Sequence, residues 1–348
     1  MKALVLHGDY DIAVEERPDP QPAPDEVVVE VIATGICGSD FHGYSGENGR
    51  RHPGQVMGHE TVGRVGELGS GVTGLTPGQL VTVNPVMGCN ECEACANGQQ
   101  QSCTRRVVLG VAPEISAAFA DRVAVRAANI VVLPEDMPAE LGALVEPLAV
   151  GYHAVLRGAA VAEDRVLVIG GGPIGQACLL AARRLGVHNL ALSDVSPSRR
   201  ELCARLGAQV IDPTAGALAD AVAAALGGPA TLVVDAVGVS RTVADALAAS
   251  GLGARIVLVG MGAPQLDLAA YALITEERSL IGSFTYTAAE FADTAAWVGT
   301  RPDGVESLID GRVGWDGAPQ SFDDLARGRS TASKILVFPQ GAPGSEQP

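Results

Sequence analysis

The chain has 348 residues, and at about 150 residues per domain this length predicts two domains, each with its own core. It carries 24 Lys and Arg against 40 Asp and Glu, which gives a formal charge of −16. Phosphate backbones and anionic lipid surfaces attract positive charge, so we expect neither nucleic acid nor a membrane as a partner. The 47% of hydrophobic residues is typical of a folded globular protein, and no apolar run reaches the about 18 residues of a membrane-spanning helix.

The N-terminal apolar stretch is too short for a secretory signal and is not followed by a small-residue cleavage site. We interpret it as the first β-strand of a cytoplasmic protein. From residue 1 to about 132, short β-branched runs interrupted by Gly and Pro predict strands separated by turns. These runs are VVVEVIATG, TVGRVGEL, QLVTVNP and DRVAVRAANIVVLP.

From about Arg165 the pattern changes, because apolar strand candidates now alternate with Ala- and Leu-rich stretches of helical period. The candidates are RVLVIG, NLALSD, AQVID, TLVVDAVG, RIVLVGMG and SLIGSF. Six strands alternating with helices predict a doubly wound parallel sheet. After Phe284, a helix (AAEFADTAAWVG) and a last strand (SKILVFP) are too short to bury a core alone, so we expect them to return to the first domain.

Four of the seven cysteines occur within fifteen residues, in a loop with almost no apolar side chains. They are Cys89, Cys92, Cys95 and Cys103, with the spacing C-x2-C-x2-C-x7-C. Four thiolates match a closed tetrahedral zinc site, and the long last gap differs from the bacterial iron–sulfur pattern. Since four protein ligands leave no open coordination position, the cluster predicts a structural zinc.

A glycine-rich turn follows the strand RVLVI and precedes the helix IGQACLLAARRLG. Gly170, Gly172 and Gly175 fit G-x-G-x-x-G, which lets a pyrophosphate approach the backbone at a helix N-terminus. Asp194 ends the next strand, 19 residues beyond Gly175, where an acid binds the ribose diol of adenosine and repels a 2′-phosphate. The pattern therefore favours NAD over NADP, and Arg199 on the next helix either contacts the adenosine moiety or lies on a solvated surface.

A second group of potential metal ligands is scattered through the β-rich part of the chain. It comprises Cys37, His59, Glu60 and Glu146. Thiolate, imidazole and carboxylate donors together suit a catalytic zinc that keeps a position for water. Taken singly, each residue also fits an ordinary structural role.

The order of the motifs gives a more specific indication. GICGSDFH at 35–42, GHE at 58–60, the four-cysteine loop, VEPLAVGYHA at 145–154 and the glycine-rich turn follow one another along the chain. In this order the chain resembles the zinc-dependent medium-chain alcohol and polyol dehydrogenases, of the sorbitol, butanediol and threonine dehydrogenase type, over nearly its whole length. The resemblance implies an α/β fold with two domains: a GroES-like, mostly β catalytic domain (1–150 and 287–348, with a structural zinc lobe at about 88–104) and a Rossmann NAD-binding domain (151–286).

The resemblance also implies roles for individual residues and one catalytic and one structural zinc per chain. Cys37, His59 and Glu60 would bind the catalytic zinc, and Glu146 would either join them or hold the zinc-bound water. The glutamate ligands and VEPLAVGYHA resemble the polyol and secondary-alcohol branch of the family rather than the primary-alcohol branch.

Ser39 and His42 fall where the family has the proton relay from the substrate hydroxyl to solvent, with Asp40 behind the metal ligands. Besides the motif glycines, Asp194 and Arg199, the residues implied for cofactor binding are Pro173, Ile174, Val259, Gly260, Met261, Phe284 and Thr285.

The sequence departs from the sorbitol-type members at two positions. Those members have Tyr directly after the relay His and Arg before a later Tyr, whereas this chain has Gly43 and Thr285, with Tyr286 retained. A site without that phenol and that cation selects a polyhydroxylated chain less strongly, so a smaller diol, a cyclitol or an amino-polyol fits equally well. Tyr44 either supplies the phenol one residue later or is exposed.

We therefore expect a zinc- and NAD-dependent dehydrogenase that oxidises a secondary alcohol of the polyol, diol or cyclitol type. Two alternatives are an amino-alcohol dehydrogenase of the threonine type and a non-catalytic NAD-binding protein of the same fold. The intact candidate residues argue against the non-catalytic alternative. The resemblance further implies a homodimer or homotetramer.

Overall fold

The computed structural model describes residues 1–47 and 49–343, and these fall into two compact units. The first unit consists of Met1–Glu146 and the chain from Thr287 onward, and the second unit is Pro147–Tyr286. The sequence-based border at residue 150 falls inside the helix that joins them. In the described chain, no helix is both long and apolar enough to span a bilayer.

The strands and helices are numbered here along the chain. They are β1 (Lys2–Gly8), β2 (Asp11–Glu16), β3 (Glu26–Gly35), α1 (Gly38–Tyr44), β4 (Glu60–Leu68), β5 (Leu80–Val83), β6 (Val86–Met87), α2 (Glu93–Ala96), β7 (Val107–Val108), β8 (Arg122–Arg126), β9 (Ile130–Val132), α3 (Val145–Arg157), β10 (Val166–Ile169), α4 (Pro173–Arg184), β11 (Leu190–Ser193), α5 (Pro197–Arg205), β12 (Gln209–Ile211), α6 (Leu218–Leu226), β13 (Ala230–Asp235), α7 (Ser240–Ala249), β14 (Ser250–Leu258), α8 (Ala270–Ile274), β15 (Ser279–Gly282), α9 (Ala288–Gly299), β16 (Ile309–Val313), α10 (Ala318–Ala326) and β17 (Lys334–Val337).

The first unit is built on a mixed sheet with the strand order β16, β17, β3, β4, β5, β9, and β8 also pairs with β3. Its β-branched strands bury apolar side chains around a core that includes Val29, Val65 and Val81. In the register of the sheet, Gly35 at the end of β3 lies opposite Glu60 of β4 on one side and Leu336 of β17 on the other. The first and last parts of the chain therefore meet at the end of β3.

Steric crowding explains why residue 35, at the end of β3, is a glycine. A Cβ there would lie 2.1 Å from Oε2 of Glu60 and 3.1 Å from Cδ of Lys334. Because 2.1 Å is far inside van der Waals contact, a side chain at position 35 would displace the buried Glu60 carboxylate, and it would also crowd Lys334.

Helix α1 follows β3 directly and packs against α10. Phe322 of α10 makes an edge-to-face contact with Tyr44 of α1, with ring centroids 5.8 Å apart, and the Tyr44 hydroxyl donates a hydrogen bond to Asp323 at 3.2 Å. Such aromatic contacts add to simple area burial. The C-terminal part of the chain thus fixes the helix that carries Ser39 and His42.

The second unit confirms the doubly wound parallel sheet predicted from the sequence. Its strand order is β12, β11, β10, β13, β14, β15, and each neighbouring pair is parallel. The residues of β10 are fully buried because helices cover both faces of such a sheet. The chain order reverses at β10, and in this class of fold a ligand binds at the carboxyl ends of the strands beside that reversal.

Candidate active site and zinc centres

Three potential metal ligands of the first unit converge. Cys37 precedes α1, His59 precedes β4 and Glu60 begins β4, and one ligand atom from each lies within 4.8 Å of the others. A thiolate, an imidazole and a carboxylate at this separation fit a zinc ion with an open position. Glu146 does not join this set in the described chain, although it is buried nearby and acts electrostatically on His59.

The surroundings of His59 are strongly negative. Burial by itself lowers the pKa of His59. The negative charges of Asp40, Cys37 and Glu146 outweigh this effect, and the resulting pKa is raised to about 10. Nδ1 of His59 lies 3.6 Å from Oδ1 of Asp40, and neither atom has a hydrogen-bond partner among the residues described. A buried site with this excess of negative charge and with unsatisfied polar atoms fits a cation.

Glu60 has a partner that the sequence analysis missed. Nζ of Lys334, the first residue of β17, lies 2.6 Å from Oε1 of Glu60 and donates a hydrogen bond to the Ile36 carbonyl at 3.2 Å. Both charged side chains are buried. Burial lowers the pKa of Lys334, but Glu60 and the other nearby acids outweigh it and raise that pKa above its usual value. The sequence did contain a signal for this partner. Lys334 is one of only two lysines in the chain, and it stands at the start of an apolar strand.

Helix α1 carries the two residues expected to move a proton. Ser39 is half-buried, whereas His42 is exposed and lies on the same helix face, three residues later. Nδ1 of His42 is 2.6 Å from Oε2 of Glu47, a carboxylate that the sequence analysis did not single out. The helix thus connects a partly buried hydroxyl to an imidazole in contact with solvent.

Tyr44 neither supplies a phenol to the active site nor is exposed, which were the two alternatives that the sequence left open. Its ring is buried, and its hydroxyl is directed at Asp323 of α10. Burial, followed by the negative charge of Asp323, raises the pKa of the Tyr44 phenol to about 12. Tyr44 is therefore an anchor of α1 and does not replace the phenol absent at Gly43.

The four-cysteine loop forms a second convergent cluster. The sulfur atoms of Cys89, Cys92, Cys95 and Cys103 lie within 4.8 Å of one another. The backbone N–H of Glu91 lowers the pKa of Cys89 to about 6, which favours the thiolate that a metal requires. The arrangement fits the predicted structural zinc.

The four-cysteine cluster requires a glycine beside it, and the two cysteines of the second unit lie in the core. A Cβ at Gly88 would lie 2.6 Å from Sγ of Cys95, so glycine is needed beside the cluster. Cys178 and Cys203 are buried in the second unit, and burial raises the pKa of each thiol to about 12. These two thiols are small core residues, as the sequence predicted.

The glycine-rich turn of the second unit connects β10 to α4. Gly170 has φ 97°, in the left-handed region that favours glycine. A Cβ at Gly175 would lie 1.8 Å from the Gly170 carbonyl oxygen, so the helix can pack this close to the strand only with glycine. Gly172 precedes α4 and Pro173 is its first residue, where the missing N–H of proline costs nothing. The turn thus presents the backbone expected of a pyrophosphate site.

Asp194 follows β11 and is fixed beside this turn. Its Oδ2 accepts a hydrogen bond from the Gly171 N–H at 2.6 Å, and its Oδ1 accepts one from the Ser196 N–H at 2.7 Å. Nη1 of Arg199 lies 3.9 Å from Oδ2 of Asp194. Arg200 instead donates to the Asp194 carbonyl and forms an ion pair with another acid, so Arg199 is the arginine whose side chain approaches the Asp194 carboxylate.

The loops expected around the nicotinamide follow β14 and β15, at the same sheet edge as the glycine-rich turn. Val259, Gly260 and Met261 come after β14 and Phe284 and Thr285 after β15. A Cβ at Gly260 would lie 2.3 Å from the backbone of Val237, which gives this glycine a packing reason. Thr285 has φ 49°, a strained value for a β-branched residue, and strain of this kind concentrates at functional sites.

Comparison with known proteins identifies the family. Residues 23–135 match the family "Alcohol dehydrogenase GroES-like domain" and residues 173–300 match "Zinc-binding dehydrogenase". The probable D-xylulose reductase A of Aspergillus terreus is 31% identical over 96% of this chain and 97% of its own. The chain belongs to the zinc-binding alcohol dehydrogenases.

Two further relatives match this alcohol dehydrogenase over nearly their whole length, one by sequence and one by structure. The L-galactonate-5-dehydrogenase of Escherichia coli is 28% identical over 97% of this chain and 99% of its own. The crystal structure of galactitol-1-phosphate dehydrogenase from Escherichia coli superimposes with a TM-score of 0.89 at 29% identity, covering 97% of this chain and 100% of that chain. The GroES-like and Rossmann fold class inferred from the sequence is confirmed.

Proposed function

We propose that this alcohol dehydrogenase oxidises a secondary hydroxyl of a polyol-like substrate and transfers the hydride to NAD. The observation that carries this proposal is the convergence of Cys37, His59 and Glu60 in the first unit. The relatives named for D-xylulose and L-galactonate support the polyol class. Carboxylate donors in the ligand set, Glu60 with Glu146 nearby, support the same branch of the family.

The residues of the first unit divide the chemistry among them. Cys37, His59 and Glu60 would hold the catalytic zinc, with Glu146 as the further carboxylate of the site. Zinc bound there supplies a Lewis acid that lowers the pKa of the substrate hydroxyl. The four clustered cysteines hold a second, structural zinc.

The reaction removes a hydride from the substrate carbon and a proton from its hydroxyl, leaving a carbonyl. Ser39 accepts the proton and His42 delivers it to solvent. Oε2 of Glu47, 2.6 Å from Nδ1 of His42, orients the imidazole. NAD bound to the second unit would supply the hydride acceptor, so the redox chemistry would belong to the cofactor.

The second unit binds the cofactor at the carboxyl ends of its strands. Asp194 would accept hydrogen bonds from the adenosine ribose of bound NAD and would repel a 2′-phosphate, which favours NAD over NADP. Arg199 would contact the adenosine moiety. The residues assigned to the pyrophosphate are Gly170, Gly172, Pro173, Ile174 and Gly175, and those assigned to the nicotinamide are Val259, Gly260, Met261, Phe284 and Thr285.

The test is NADH formation by the zinc-loaded protein with a panel of diols, sugar alcohols, cyclitols and amino alcohols, with and without a chelator. We expect chelator-sensitive turnover of one polyol-like class. Turnover of amino alcohols alone would favour the threonine-type alternative. Silence across the panel, despite NAD binding, would favour a non-catalytic protein.

Replacement of one ligand sharpens this test. Cys37→Ser is expected to abolish turnover and to remove one of two zinc ions per chain, measured by elemental analysis. Cys178→Ala, which alters a buried thiol without an assigned role, is the matched control. Persistent turnover by Cys37→Ser would show that the catalytic site has been assigned wrongly.

The proposal includes a homodimer or homotetramer in the cytoplasm. None of the seven cysteines forms a disulfide in the described structure, which fits a reducing compartment. Among the residues that the structure describes, β15 of the second unit pairs with β14 on one side and with no strand on the other, which leaves an open sheet edge. Tyr271 and Ile274 on the neighbouring α8 are 84% and 67% exposed. We expect Ile274→Glu to lower the mass measured by sedimentation, whereas Val161→Glu, another exposed site, leaves it unchanged.

A further inference from the structure

A buried arginine lies beside the catalytic ligands, and neither the motifs nor the proposed reaction gives it a role. The side chain of Arg51 is 1% exposed, and its Nη2 lies 3.7 Å from Oδ1 of Asp40. Nη2 also donates a long hydrogen bond of 3.4 Å to the Ser39 carbonyl. A buried guanidinium needs compensation by negative charge, and Asp40 is the carboxylate that this structure offers it.

Asp40 in turn contacts two of the proposed zinc ligands, Cys37 and His59. Its Oδ2 accepts a hydrogen bond from the Cys37 N–H at 3.1 Å, and its Oδ1 lies 3.6 Å from Nδ1 of His59. With Nδ1 turned toward Asp40, Nε2 is the ring nitrogen of His59 left for a metal. One fully buried carboxylate therefore contacts the backbone of one ligand and the ring of another.

Gly43 explains why the arginine fits at this place. A Cβ at position 43 would lie 2.3 Å from Cγ of Arg51 and 3.2 Å from its Nε. A side chain at position 43 and the observed position of Arg51 therefore exclude each other. The glycine found where sorbitol-type members have tyrosine makes room for a buried cation.

We propose that Arg51 is a positioning residue, which holds Asp40 against Cys37 and His59 and so sets the geometry of the catalytic zinc ligands. The inference rests on the proposed function, because it assigns those residues to zinc. Carboxylates that contact a ligating histidine fix its ring orientation, and their loss costs about 10–100-fold in metal affinity or activity. Removing Arg51 leaves Asp40 without its buried guanidinium partner, so the carboxylate moves or takes up water and the ring of His59 loses its restraint.

A direct role of Arg51 in binding an anionic substrate is the alternative. Its 1% exposure argues against this, because a substrate carboxylate has no access to the guanidinium. The two roles also differ in what they change. Positioning alters zinc binding and kcat for every substrate, whereas substrate binding alters KM for anionic substrates alone.

The test compares Arg51→Met and Arg51→Lys with the unchanged zinc-loaded enzyme. We expect Arg51→Met to release one zinc per chain to a chelator about 10–100-fold faster and to lower kcat, with little change in KM for NAD. Arg51→Lys, which keeps the charge, restores part of both. Arg122→Met, which breaks an exposed ion pair with Asp19, is the control and leaves zinc release unchanged.

A second variant perturbs Arg51 without removing it. Gly43→Ala keeps a helix-compatible backbone but displaces the arginine, so it should also speed zinc release. In an Arg51→Ala background the same change should have little effect, because no long side chain is left to displace. Independent, additive effects of the two changes would overturn the mechanism.

The outcomes separate this inference from the proposed function. Zinc release from Arg51→Met at the unchanged rate, or a change confined to KM for anionic substrates, overturns the positioning role while the proposed function stands. If the unchanged enzyme holds a single zinc that Cys37→Ser does not remove, the proposed function and this inference both fail. Zinc release is measured without turnover. The role of Arg51 can therefore be tested even if the enzyme oxidises none of the alcohols in the substrate panel.

Discussion

Removal of the ammonium group of Lys334 tests the electrostatics of the active site most directly. Lys334→Met keeps an unbranched chain of similar length and removes the charge 2.6 Å from Oε1 of Glu60. At an effective dielectric constant of about 20, two charges at this separation attract by about 6 kcal/mol. Removing one partner of a buried pair costs about 3–5 kcal/mol, because the other charge stays buried without compensation. We expect the zinc-depleted protein to lose stability by that amount.

Zinc should reduce this loss. A zinc ion bound by Cys37, His59 and Glu60, as proposed, would bring positive charge to the same carboxylate, so Glu60 would no longer be uncompensated. The difference in unfolding free energy between Lys334→Met and the unchanged protein should therefore be smaller with zinc than after chelation. This prediction depends on Glu60 sharing its charge between the metal and the lysine.

The assay is urea unfolding followed by tryptophan fluorescence. Both tryptophans of the sequence, Trp297 and Trp315, belong to the first unit, so the signal reports the unit that contains the ion pair. Lys2→Met, which alters the only other lysine of the sequence, is the control and should change stability by less than about 0.5 kcal/mol. Equal losses with and without zinc would refute the coupling of Glu60 to the metal. A loss below about 1 kcal/mol in the chelated protein would refute the buried pair itself.

Three other changes test separate parts of the molecule. Asp194→Ala removes the carboxylate proposed to bind the ribose, so KM for NAD should rise about 10–100-fold and KM for NADP much less; equal rises in steady-state kinetics would contradict the ribose assignment. Cys103→Ser should remove one zinc per chain and expose residues 88–104 to limited proteolysis, and a loop that stays resistant would exclude a metal-dependent lobe. His42→Ala should lower kcat about 100-fold with recovery in imidazole buffer, and an unchanged kcat would remove His42 from the proton path.

The sequence could predict the features that depend on residues close together in the chain. The glycine-rich turn follows from steric demands within six residues, Gly170–Gly175, and the four-cysteine cluster from ligands within one loop. The parallel sheet followed from the alternation of strand and helix patterns, because a parallel connection requires a crossover. Local sterics and periodicity are properties of short segments, so they can be recognised without the fold.

Other contacts between distant side chains were decided by the tertiary structure alone. Lys334 is 274 residues from Glu60, and Asp323 is 279 residues from Tyr44, so no local pattern pairs them. Arg51 and Gly43 are close in sequence, but only packing shows that one fills the space left by the other. Charge pairing and close packing depend on distances set by the whole sheet, whereas the motifs record only which residues are available.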